Sequence, residues 1–416
     1  MRSLDDWLAW ISAQHPSTVA LGLDRVCEVA ARMSLQGGPT TITVGGTNGK
    51  GSTCAFLETI LLEAGYRVGT YTSPHILRYN ERVRIQGEDA TDALLVESFE
   101  RVEAARGATP LTYFEFGTLA ALWIFQASKL DAWVLEVGLG GRLDAVNVID
   151  ADCAIVVSVD LDHQAFLGND RESIGFEKAG IFRPGRPAIF GDTNPPTRLV
   201  EHARAIGADL QVLGRDFRVE ASERQWDFVG RRSTRRALPI PALRGAWQLK
   251  NAASALAALD EVAERLPLSV GEVKRGLSTV RLAGRLQSLP GRPAIVLDVA
   301  HNPHAARSLA QALGDMGFFE RTFAVFAMLS DKDIGGVVDA VRHRIDRWYV
   351  SAAQADRAAS AEAVAGVLAG RGIEAVRTFA TVDAALQAAR RDAGSNDRIV
   401  VFGSFHTVAE ALRSAR

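Results

Sequence analysis

The sequence predicts an α/β protein with a mostly parallel sheet. Short β-branched and apolar runs alternate with helical segments along most of the 416 residues, which is the pattern of a parallel sheet covered by helices. A glycine-rich segment, GGTNGKGST at residues 45–53, follows one such run and precedes a helix. Strand, glycine loop and helix in this order are typical of phosphate-binding sites. We therefore expect a mostly parallel sheet with a P-loop-type ATP site.

The elements can be predicted in order from hydrophobic periodicity and from helix-ending glycines such as Gly65. Residues 207–235 are polar and arginine-rich and alternate like a hairpin, so we expect them to be peripheral. The other predicted elements before residue 281 are helices at Leu4–Ile11 and Val19–Ala31, a strand at 41–44, a helix at 54–65, a strand at 67–72, a helix at 112–127, strands at 132–137, 154–159 and 188–190, and a helix at 245–263.

A linker is predicted where the chain loses apolar content. Residues 281–293, RLAGRLQSLPGRP, contain two Gly-Arg pairs and two prolines, and we place the linker at 285–293. A second α/β unit follows, with strands predicted at 294–297, 322–327, 348–351 and 399–402. The expected organisation is a domain at 1–284, the linker at 285–293 and a smaller domain at 294–416, each long enough for its own core.

Composition excludes several classes of protein. The chain has 47 basic and 49 acidic residues, a formal net charge of −2, and 47% hydrophobic residues. These values argue against a disordered chain, a fibrous repeat and a strongly basic nucleic-acid binder. Three scattered cysteines do not form a disulfide framework or a zinc cage. Charged residues interrupt the most apolar region, 116–141, so it does not span a bilayer, and we expect a cytoplasmic location.

The glycine-rich loop carries the strongest chemical signal. A triphosphate needs inward-pointing backbone N–H groups, a lysine on its β and γ oxygens and a hydroxyl near the metal, and Lys50 and Ser52 supply the last two. Lysine is rare in this chain, with six lysines among the 47 basic residues. Because arginine is the default cation here, Lys50 and Lys178 are candidates for chemistry that arginine does not provide.

Three segments at strand ends are candidates for metal binding. They are 72–75, TSPH, the acid Glu136, and 160–163, DLDH. Parallel sheets bind ligands beyond the carboxyl ends of their strands, and Mg²⁺ prefers oxygen ligands. From the residues alone, alternatives stay open: His163 as an ordinary loop histidine, Glu136 as a salt-bridge partner, and Lys178 as a solvated lysine on a helix.

The motifs together resemble one family. They are GTNGKGST, TSPH, LEVGLGGRLDAVN, LDHQAFLG, EKAGIFRPG, KNAASAL, LDVAHNPHAA, MLSDKD and GSFHTVAEAL. The chain resembles the bacterial bifunctional dihydrofolate synthase/folylpolyglutamate synthases of the Mur ligase superfamily from about residue 15 to residue 412. The resemblance implies the Mur ligase architecture: an ATP- and pterin-binding domain at 1–284 and a Rossmann-like glutamate-ligase domain at 294–416.

The resemblance also implies the reaction. ATP phosphorylates the carboxylate of 7,8-dihydropteroate or the γ-carboxylate of a folate glutamate tail, and the amine of L-glutamate attacks the acyl phosphate to form an amide. Phosphorylation is needed because a carboxylate is a poor electrophile, so the protein must position the groups and neutralise charge. The implied partners are ATP, L-glutamate, dihydropteroate and reduced folates, with Mg²⁺ as cofactor (two ions). We expect a monomer that binds neither nucleic acid nor membrane.

The resemblance assigns roles to individual residues. The catalytic residues are Lys50, His163 and Lys178, the last as a carbamate. The implied ATP contacts are Thr47, Asn48, Gly49, Lys50, Gly51, Ser52, Asn251, Arg285, Asp298 and His301. The implied metal ligands are Ser73, Glu136, His163 and Lys178. The implied pterin contacts are Thr18, Val19, Ala20, Leu21, Thr112, Tyr113, Phe114, Glu115, Leu143, Asp144 and Ala145, and the glutamate contacts are Ser404 and Lys332.

Two of these positions illustrate the chemistry, and two others depart from the family. A planar heterocycle with N–H edges needs an aromatic face and a carboxylate, which Phe114 and Asp144 would supply; core packing is the alternative for Phe114. Ala20 lies where relatives carry an acid. Trp247 replaces a histidine of the family's G-x-H-Q pattern, so that position supports no inference.

Four other functions compete with this interpretation. A cell-wall Mur ligase would carry a uridine-binding domain before the ATP loop, and the loop here begins at Gly45. A non-catalytic regulator would have lost some of Lys50, Glu136, His163 and Lys178, which are all present. A generic P-loop kinase or GTPase would have different glycine spacing. A monofunctional folylpolyglutamate synthase or dihydrofolate synthase remains the open alternative.

Overall fold

The computed structural model describes residues 2–15 and 19–414. Two compact units are formed, the first by Met1–Ala242 with Gln248–Val280 and the second by Leu243–Trp247 with Arg281–Arg416. No helix in the described part of the chain is long and apolar enough to cross a membrane. The functions assigned above to each domain stay predictions at this point.

The first unit contains most of the helices and strands. Short 3₁₀ turns at Tyr79–Arg82 and Ala145–Val148 join them. Its elements are α1 (Leu4–Ser12), α2 (Asp24–Arg32), β1 (Thr41–Gly45), α3 (Lys50–Glu63), β2 (Val68–Tyr71), β3 (Val83–Ile85), β4 (Glu88–Asp89), α4 (Asp92–Arg106), α5 (Tyr113–Ala127), β5 (Ala132–Glu136), β6 (Cys153–Val156), α6 (Gln164–Leu167), α7 (Arg171–Ala179), β7 (Pro187–Phe190), α8 (Thr197–Ile206), β8 (Asp209–Val212), β9 (Arg218–Ala221), β10 (Gln225–Val229), β11 (Thr234–Pro239), α9 (Trp247–Glu261) and α10 (Val270–Thr279).

The main sheet of this unit has eight strands in the order β4-β3-β2-β5-β1-β6-β7-β8. Strands β2 to β8 in that order are parallel, and β3 and β4 add an antiparallel edge. The register pairs Val44 with Glu136 and Tyr71 with Leu135. The carboxyl ends of β1, β2 and β5 therefore lie side by side, where an open parallel sheet binds ligands.

Burial explains why the central strands form. Every residue of β1, β5 and β6 is buried, as expected of parallel strands covered on both faces. One hydrophobic cluster joins α1, α2, α4 and α5 to side chains of β2 and β5, including the neighbouring rings of Trp7, Phe99 and Phe116. A second cluster joins α7 and α8 to β6 and β7. The sheet edge that carries the candidate site is thus fixed by two cores.

Two local predictions differ from the structure. The helix predicted from Val19 begins only at Asp24, because Gly22 has φ +147° and an L-residue helix does not include that conformation. The polar segment 207–235, predicted as hairpin-like, forms β8 of the main sheet. It also forms β9, β10 and the first two residues of β11, the strands of a separate three-stranded antiparallel sheet. Antiparallel pairing with one exposed face gives the alternating polar pattern.

The second unit is a smaller α/β sheet. Its six strands have the order β12-β13-β17-β14-β15-β16, all parallel except β12. Its elements are β12 (Gln287–Leu289), β13 (Ala294–Leu297), α11 (Pro303–Asp315), β14 (Thr322–Phe326), α12 (Ile334–Val341), β15 (Arg347–Ser351), α13 (Ala361–Ala369), β16 (Val376–Phe379), α14 (Val382–Asp392), β17 (Arg398–Phe402) and α15 (Phe405–Ser414).

The segment predicted as a linker, 285–293, contains β12. This strand pairs antiparallel with β13, with Gln287 opposite Leu297. The backbone N–H of Leu286 also donates to the carboxylate of Asp298 at 2.9 Å. The middle of the predicted linker, residues 287–289, is therefore an edge strand of the second unit, and its low apolar content reflects that edge position.

Candidate active site

The phosphate loop joins β1 to α3 as predicted. Gly46 and Gly49 have φ +142° and +89°, conformations that side chains disfavour. A Cβ at Gly49 would lie 2.6 Å from Oδ1 of Asn251, so only glycine fits. The Lys50 ammonium donates to the Gly46 carbonyl at 3.0 Å. The lysine is thus held over the loop at the N-terminus of α3, where backbone N–H groups attract anions.

Residues that follow β6 hold the phosphate loop in place by hydrogen bonds. The Thr47 N–H donates to the Ser158 carbonyl at 2.8 Å, and its hydroxyl lies 3.0 Å from the Asp160 backbone nitrogen. The Asn48 N–H donates to the Ser158 hydroxyl at 3.1 Å. Ser158 is a supporting residue that the sequence analysis missed, since nothing in a strand-end serine signals a contact 110 residues away.

Asn251, which the resemblance assigns to ATP binding, lies beside the phosphate loop, close to Gly49. Its amide donates to Gln248 Oε1 at 2.9 Å, and the Gln248 amide donates to the Ser52 hydroxyl at 3.3 Å. All three side chains are buried. Gln248 was also missed, although it lies in the G-A-W-Q segment where Trp247 departs from the family.

Ser73 and Glu136 are brought together at the carboxyl ends of β2 and β5. The Ser73 N–H donates to Glu136 Oε2 at 3.0 Å, and the Glu136 side chain is buried. A buried carboxylate beside a serine is the oxygen donor set that Mg²⁺ accepts. In residues 2–15 and 19–414, no three His, Cys, Asp or Glu side chains cluster as a metal site, so any ion here also needs ligands such as hydroxyl, phosphate or water.

His163 lies in the loop after β6, in a left-handed conformation with φ +51°. Its side chain is 43% exposed, and its Nε2 lies 4.0 Å from Oδ1 of the mostly buried Asp162. A non-glycine residue in this conformation is uncommon and indicates a constrained loop. The exposed ring is consistent both with a metal ligand and with a loop histidine, so its metal role stays a prediction.

Lys178, near the end of α7, is almost completely buried. Burial, and secondly the nearby charge of Lys50, lower the pKa of its amine to about 7, while Asp162 and Asp144 oppose the shift. The alternative of a solvated helix lysine is therefore excluded for this residue. An amine with this pKa has a substantial neutral fraction at neutral pH, and that neutral form can act as a nucleophile.

Asp144 occupies a buried turn after the LEVGLGGRL segment. Its two carboxylate oxygens accept the backbone N–H groups of Leu139 at 2.8 Å and Val146 at 3.0 Å. Burial raises the pKa of this carboxyl to about 7, and these hydrogen bonds oppose the shift. Leu143 and Ala145 flank it directly. A buried carboxylate fixed by backbone donors suits recognition of a ligand that presents N–H groups.

Phe114 is partly buried at the start of α5. Its ring packs against the backbone of Gly138, where a Cβ would lie 2.5 Å from the ring, and against the Tyr71 ring at 6.0 Å between centroids. The helix starts here because Thr112 and Glu115 form a capping box. The Phe114 ring is thus packed on one side yet not fully buried, which fits a stacking surface.

Arg25 ties the segment Val19–Leu21 to α5. Its guanidinium donates to the Ala20 carbonyl at 2.9 Å and to Glu115 Oε1 at 2.8 Å. Thr18, which was also predicted to contact the pterin, lies outside the described residues. The sequence analysis missed Arg25. Although Ala20 has no acidic side chain to pair with this arginine, its backbone carbonyl accepts the hydrogen bond instead.

In the second unit, the predicted ATP residues lie at the carboxyl ends of β13 and β17. Asp298 is buried and accepts backbone N–H groups from Leu286 and Ala300, both at 2.9 Å, and burial raises its pKa. The Phe405 ring lies 6.1 Å from the His301 ring and 5.1 Å from the Arg285 guanidinium carbon. Arg285 and His301 thus share one neighbour, and their ATP role stays a prediction.

The predicted glutamate residues lie at neighbouring strand ends of the same unit. The Ser404 hydroxyl lies 2.7 Å from that of Thr407, and it accepts the Thr407 N–H at 3.1 Å. It therefore already stabilises the start of α15. Lys332 precedes α12, whose residue Gly336 lies against Pro303 at the start of α11. These contacts neither support nor exclude glutamate binding.

Known proteins resemble this chain over nearly its full length. Residues 284–405 match the family described as "Mur ligase, glutamate ligase domain". The chain is 45% identical over 410 residues to the dihydrofolate synthase/folylpolyglutamate synthase of Escherichia coli, which covers 98% of this chain and 94% of that protein.

The chain belongs to the dihydrofolate synthase/folylpolyglutamate synthase family. Solved structures agree with this assignment. E. coli FolC in complex with DHPP and ADP has a TM-score of 0.94 at 44% identity and covers 99% of this chain and 97% of its own. A bifunctional folylpolyglutamate synthase/dihydrofolate synthase with Mn, AMPPNP and L-glutamate bound has a TM-score of 0.92 at 44% identity, with 100% and 98% coverage.

Membership of the dihydrofolate synthase/folylpolyglutamate synthase family confirms the resemblance read from the motifs, and with it the Mur ligase fold. It also removes the cell-wall, regulator and generic kinase alternatives. Family membership does not assign a role to each site residue, so those roles stay predictions that are argued from the geometry of the site.

Proposed function

We propose that this protein is a ligase that uses ATP to join L-glutamate to two acceptors. The acceptors are 7,8-dihydropteroate, which gives dihydrofolate, and the γ-carboxylate of folate glutamate tails. The observation that carries the proposal is that one unit contains both a phosphate loop and Asp144, a buried carboxylate that accepts N–H hydrogen bonds. A nucleotide kinase or GTPase needs the loop but has no use for Asp144 and Phe114. One such loop is present in residues 2–15 and 19–414, and we propose that both acceptors react beside it.

The residues of this chain provide positioning and charge. Lys50 and the N–H groups of Thr47 to Ser52 would hold the ATP phosphates, and Lys50 would neutralise charge that develops on the transferring phosphoryl group. The acceptor carboxylate attacks the γ-phosphorus, the bond to ADP breaks, and an acyl phosphate forms. The glutamate amine then attacks the acyl carbon, phosphate leaves, and the amine loses a proton. Asp144 and Phe114 would hold the pterin so that the carboxylate reaches the phosphate.

Ser73, Glu136 and His163 would hold the divalent metal, which we propose to be Mg²⁺. The ion neutralises phosphate charge when bound. Glu136 fits this role because it is a buried carboxylate beside the Ser73 backbone.

We also propose that Lys178 is carbamylated and supports a second Mg²⁺. Its neutral amine would attack CO₂, which forms an N–C bond and releases one proton. Burial and a pKa of about 7 supply that neutral amine. The negatively charged carbamate also suits a position near the Lys50 ammonium better than a second cation does.

A substitution pair tests the carbamate. We expect Lys178→Met to lower kcat by about 100-fold or more, the scale of losing one charge-stabilising group. Lys178→Glu, which restores an anion, should retain more activity than Lys178→Met. Removal of CO₂ from the buffer should slow the wild type alone. Equal activity of the two variants, with a wild type insensitive to CO₂, would exclude the carbamate.

We propose further that the protein is a monomer and that it works in the cytoplasm, where ATP and reduced folates are available. All three cysteines, Cys27, Cys54 and Cys153, are unpaired, which suits a reducing compartment. Light scattering at micromolar concentration would give the mass of one chain, 44.8 kDa; a mass twice as large would contradict the monomer.

The direct test of the function is ATP-dependent transfer of labelled L-glutamate to each acceptor separately. We expect amide product on 7,8-dihydropteroate and on tetrahydrofolate monoglutamate, with one ADP per bond. Product on one acceptor alone would make the enzyme monofunctional. Product on neither, with ATP still bound, would contradict the folate assignment.

A further inference from the structure

Arg82 has an unusual environment in the first unit. It ends the 3₁₀ turn before β3, and its guanidinium carbon lies 5.4 Å from the Tyr79 ring centroid and 5.6 Å from the Tyr113 ring centroid. Its Nε donates to His75 Nδ1 at 2.9 Å. Within the described residues, no carboxylate lies at ion-pair distance from this guanidinium. Arg82 is therefore a partly buried cation held by aromatic rings and one imidazole.

Neighbouring arginines on the same hairpin are paired with acids. Arg78 lies 3.0 Å from Asp92, and Arg84 lies 3.2 Å from the buried Glu58. Burying part of a cation beside rings without an acid costs solvation that the cation–π contacts offset only in part. Of these three arginines, Arg82 is the one without a carboxylate partner among the described residues, which leaves its cation available to a ligand's carboxylate.

Arg82 also lies between two groups of proposed site residues. Its carbonyl accepts the N–H of Thr72 at 2.9 Å, next to the proposed metal ligand Ser73. Its guanidinium contacts Tyr113, which adjoins Phe114 at the start of α5. These contacts place Arg82 close in the chain and in space to residues next to Ser73 and Phe114.

The orientation of the guanidinium narrows its ligand further. Because Nε donates to His75 and both tyrosine rings lie to one side of the guanidinium, the two terminal nitrogens form the remaining donor edge. A planar pair of N–H donors matches a carboxylate, which it binds in bidentate fashion. Bidentate binding would lower the nucleophilicity of a carboxylate that must attack phosphorus, because both of its oxygens would then accept charge-assisted hydrogen bonds. The edge therefore suits a carboxylate that does not react.

The two acceptors differ in this one respect. Dihydropteroate has a single carboxylate, which reacts, whereas a glutamate tail has a reacting γ-carboxylate and an unreactive α-carboxylate. We propose that Arg82 binds the α-carboxylate of the terminal glutamate on a folate tail. The residue then determines specificity for the tail-extending reaction and is dispensable for dihydrofolate formation. This inference rests on the two-acceptor function proposed above.

The first experiment compares steady-state kinetics of Arg82→Gln with the wild type on both acceptors. Hydrogen bonds between charged groups set the expected size of the effect. We expect KM for tetrahydrofolate monoglutamate to rise about 10- to 100-fold, with KM for dihydropteroate unchanged. Arg78→Gln is the matched control, because it removes an exposed, acid-paired arginine from the same hairpin, and both KM values should stay the same. Equal loss on both acceptors, or no loss on either, would overturn the proposal.

The second experiment needs no folded variant. Tetrahydrofolate monoglutamate whose α-carboxylate is replaced by a carboxamide keeps its reactive γ-carboxylate. The wild type should bind this amide about 10- to 100-fold more weakly than the natural acceptor, and Arg82→Gln should treat the two alike. A wild type that does not distinguish the amide from the acid would overturn the assignment of Arg82. A wild type inactive on both natural acceptors would instead contradict the proposed function.

Discussion

Asp144 and Lys178 are buried ionisable side chains whose pKa values both move to about 7, from opposite directions. Burial penalises the charged form of each, which raises the pKa of the acid and lowers that of the amine. Shifts of this kind concentrate where a protein needs chemistry near neutral pH. No sequence pattern reveals them, since they arise from packing around the side chains.

Asp144 gives a pH dependence with a definite sign. Below its pKa of about 7 the carboxyl is protonated and cannot accept hydrogen bonds from pterin N–H groups on both oxygens. We expect KM for dihydropteroate to fall as pH rises, by about tenfold per unit below that pKa, and to level off above it. KM measured for dihydropteroate and ATP across this range checks the prediction, since KM for ATP should not follow the same curve.

An Asp144→Asn variant serves as the control for this pH profile. Its KM for dihydropteroate should be high and independent of pH, because the amide does not titrate. The effect on stability has the opposite sign: a folded pKa above the ordinary 3.8 means that protonated Asp144 stabilises the fold, and that this contribution is lost as pH rises through about 7. A wild-type KM that does not change with pH would contradict the role of Asp144.

Phe114 and Phe116 separate stacking from core packing. Phe116 is completely buried, whereas Phe114 is partly exposed. We expect Phe114→Leu to raise KM for dihydropteroate about 2- to 10-fold, the scale of an aromatic stacking contact, with little change in stability. Phe116→Leu should lower the free energy of unfolding by about 1 kcal/mol and leave KM unchanged. If urea unfolding and kinetics gave the reverse pattern, Phe114 would be a core residue.

At the scale of elements, the two ends of α3 offer a matched test of the phosphate loop. Gly49 and Gly65 both have positive φ, +89° and +84°. A side chain at Gly49 would meet Asn251 at 2.6 Å, whereas Gly65 has no atom within 4 Å. Alanine at either site should cost about 1–2 kcal/mol of unfolding free energy for the left-handed backbone. Only Gly49→Ala should also weaken ATP binding, measured by calorimetry.

The outcome for Gly49 decides whether the loop geometry matters for the nucleotide. Equal ATP affinity in the Gly49→Ala and Gly65→Ala variants would show that the close approach of Asn251 to the loop is not needed for binding. A loss confined to Gly49→Ala would tie ATP affinity to that contact, since the strain at Gly65 is of the same kind.

Buried strands were predictable from sequence, and edge strands were not. The strands β1, β5, β14 and β17 are fully buried apolar runs, and each was predicted to within two residues. The strand β16, VRTF, has exposed polar positions, and β12 lies in a segment rich in proline and glycine. Both depend on pairing with a neighbour, which periodicity does not encode.

The site residues also divide into those that a local sequence motif indicates and those that depend on contacts with distant parts of the chain. Lys50, Ser73, Glu136 and Asp144 lie in local motifs, so sequence alone could nominate them. Their supports are long-range contacts: Arg25 meets Glu115 across 90 residues, and Gln248 meets Ser52 across 196 residues. Such partners depend on the topology of the sheet, which brings distant strand ends together.

At the scale of the whole molecule, the sequence predicted two α/β units, and the structure contains two with a boundary at 280 and 281. Residues 243–247 also belong to the second unit. Hydrophobic periodicity could not indicate this because the segment is too short. Both site-bearing sheets present their candidate residues at the carboxyl ends of parallel strands, as that topology requires.

The central claim is that one site serves both acceptors. The most direct measurement is competition: the rate of glutamate transfer to tetrahydrofolate monoglutamate, followed as dihydropteroate is added. We predict competitive inhibition, with an inhibition constant equal to the KM of dihydropteroate as a substrate. Rates that simply add, with neither acceptor slowing the other, would contradict a shared site.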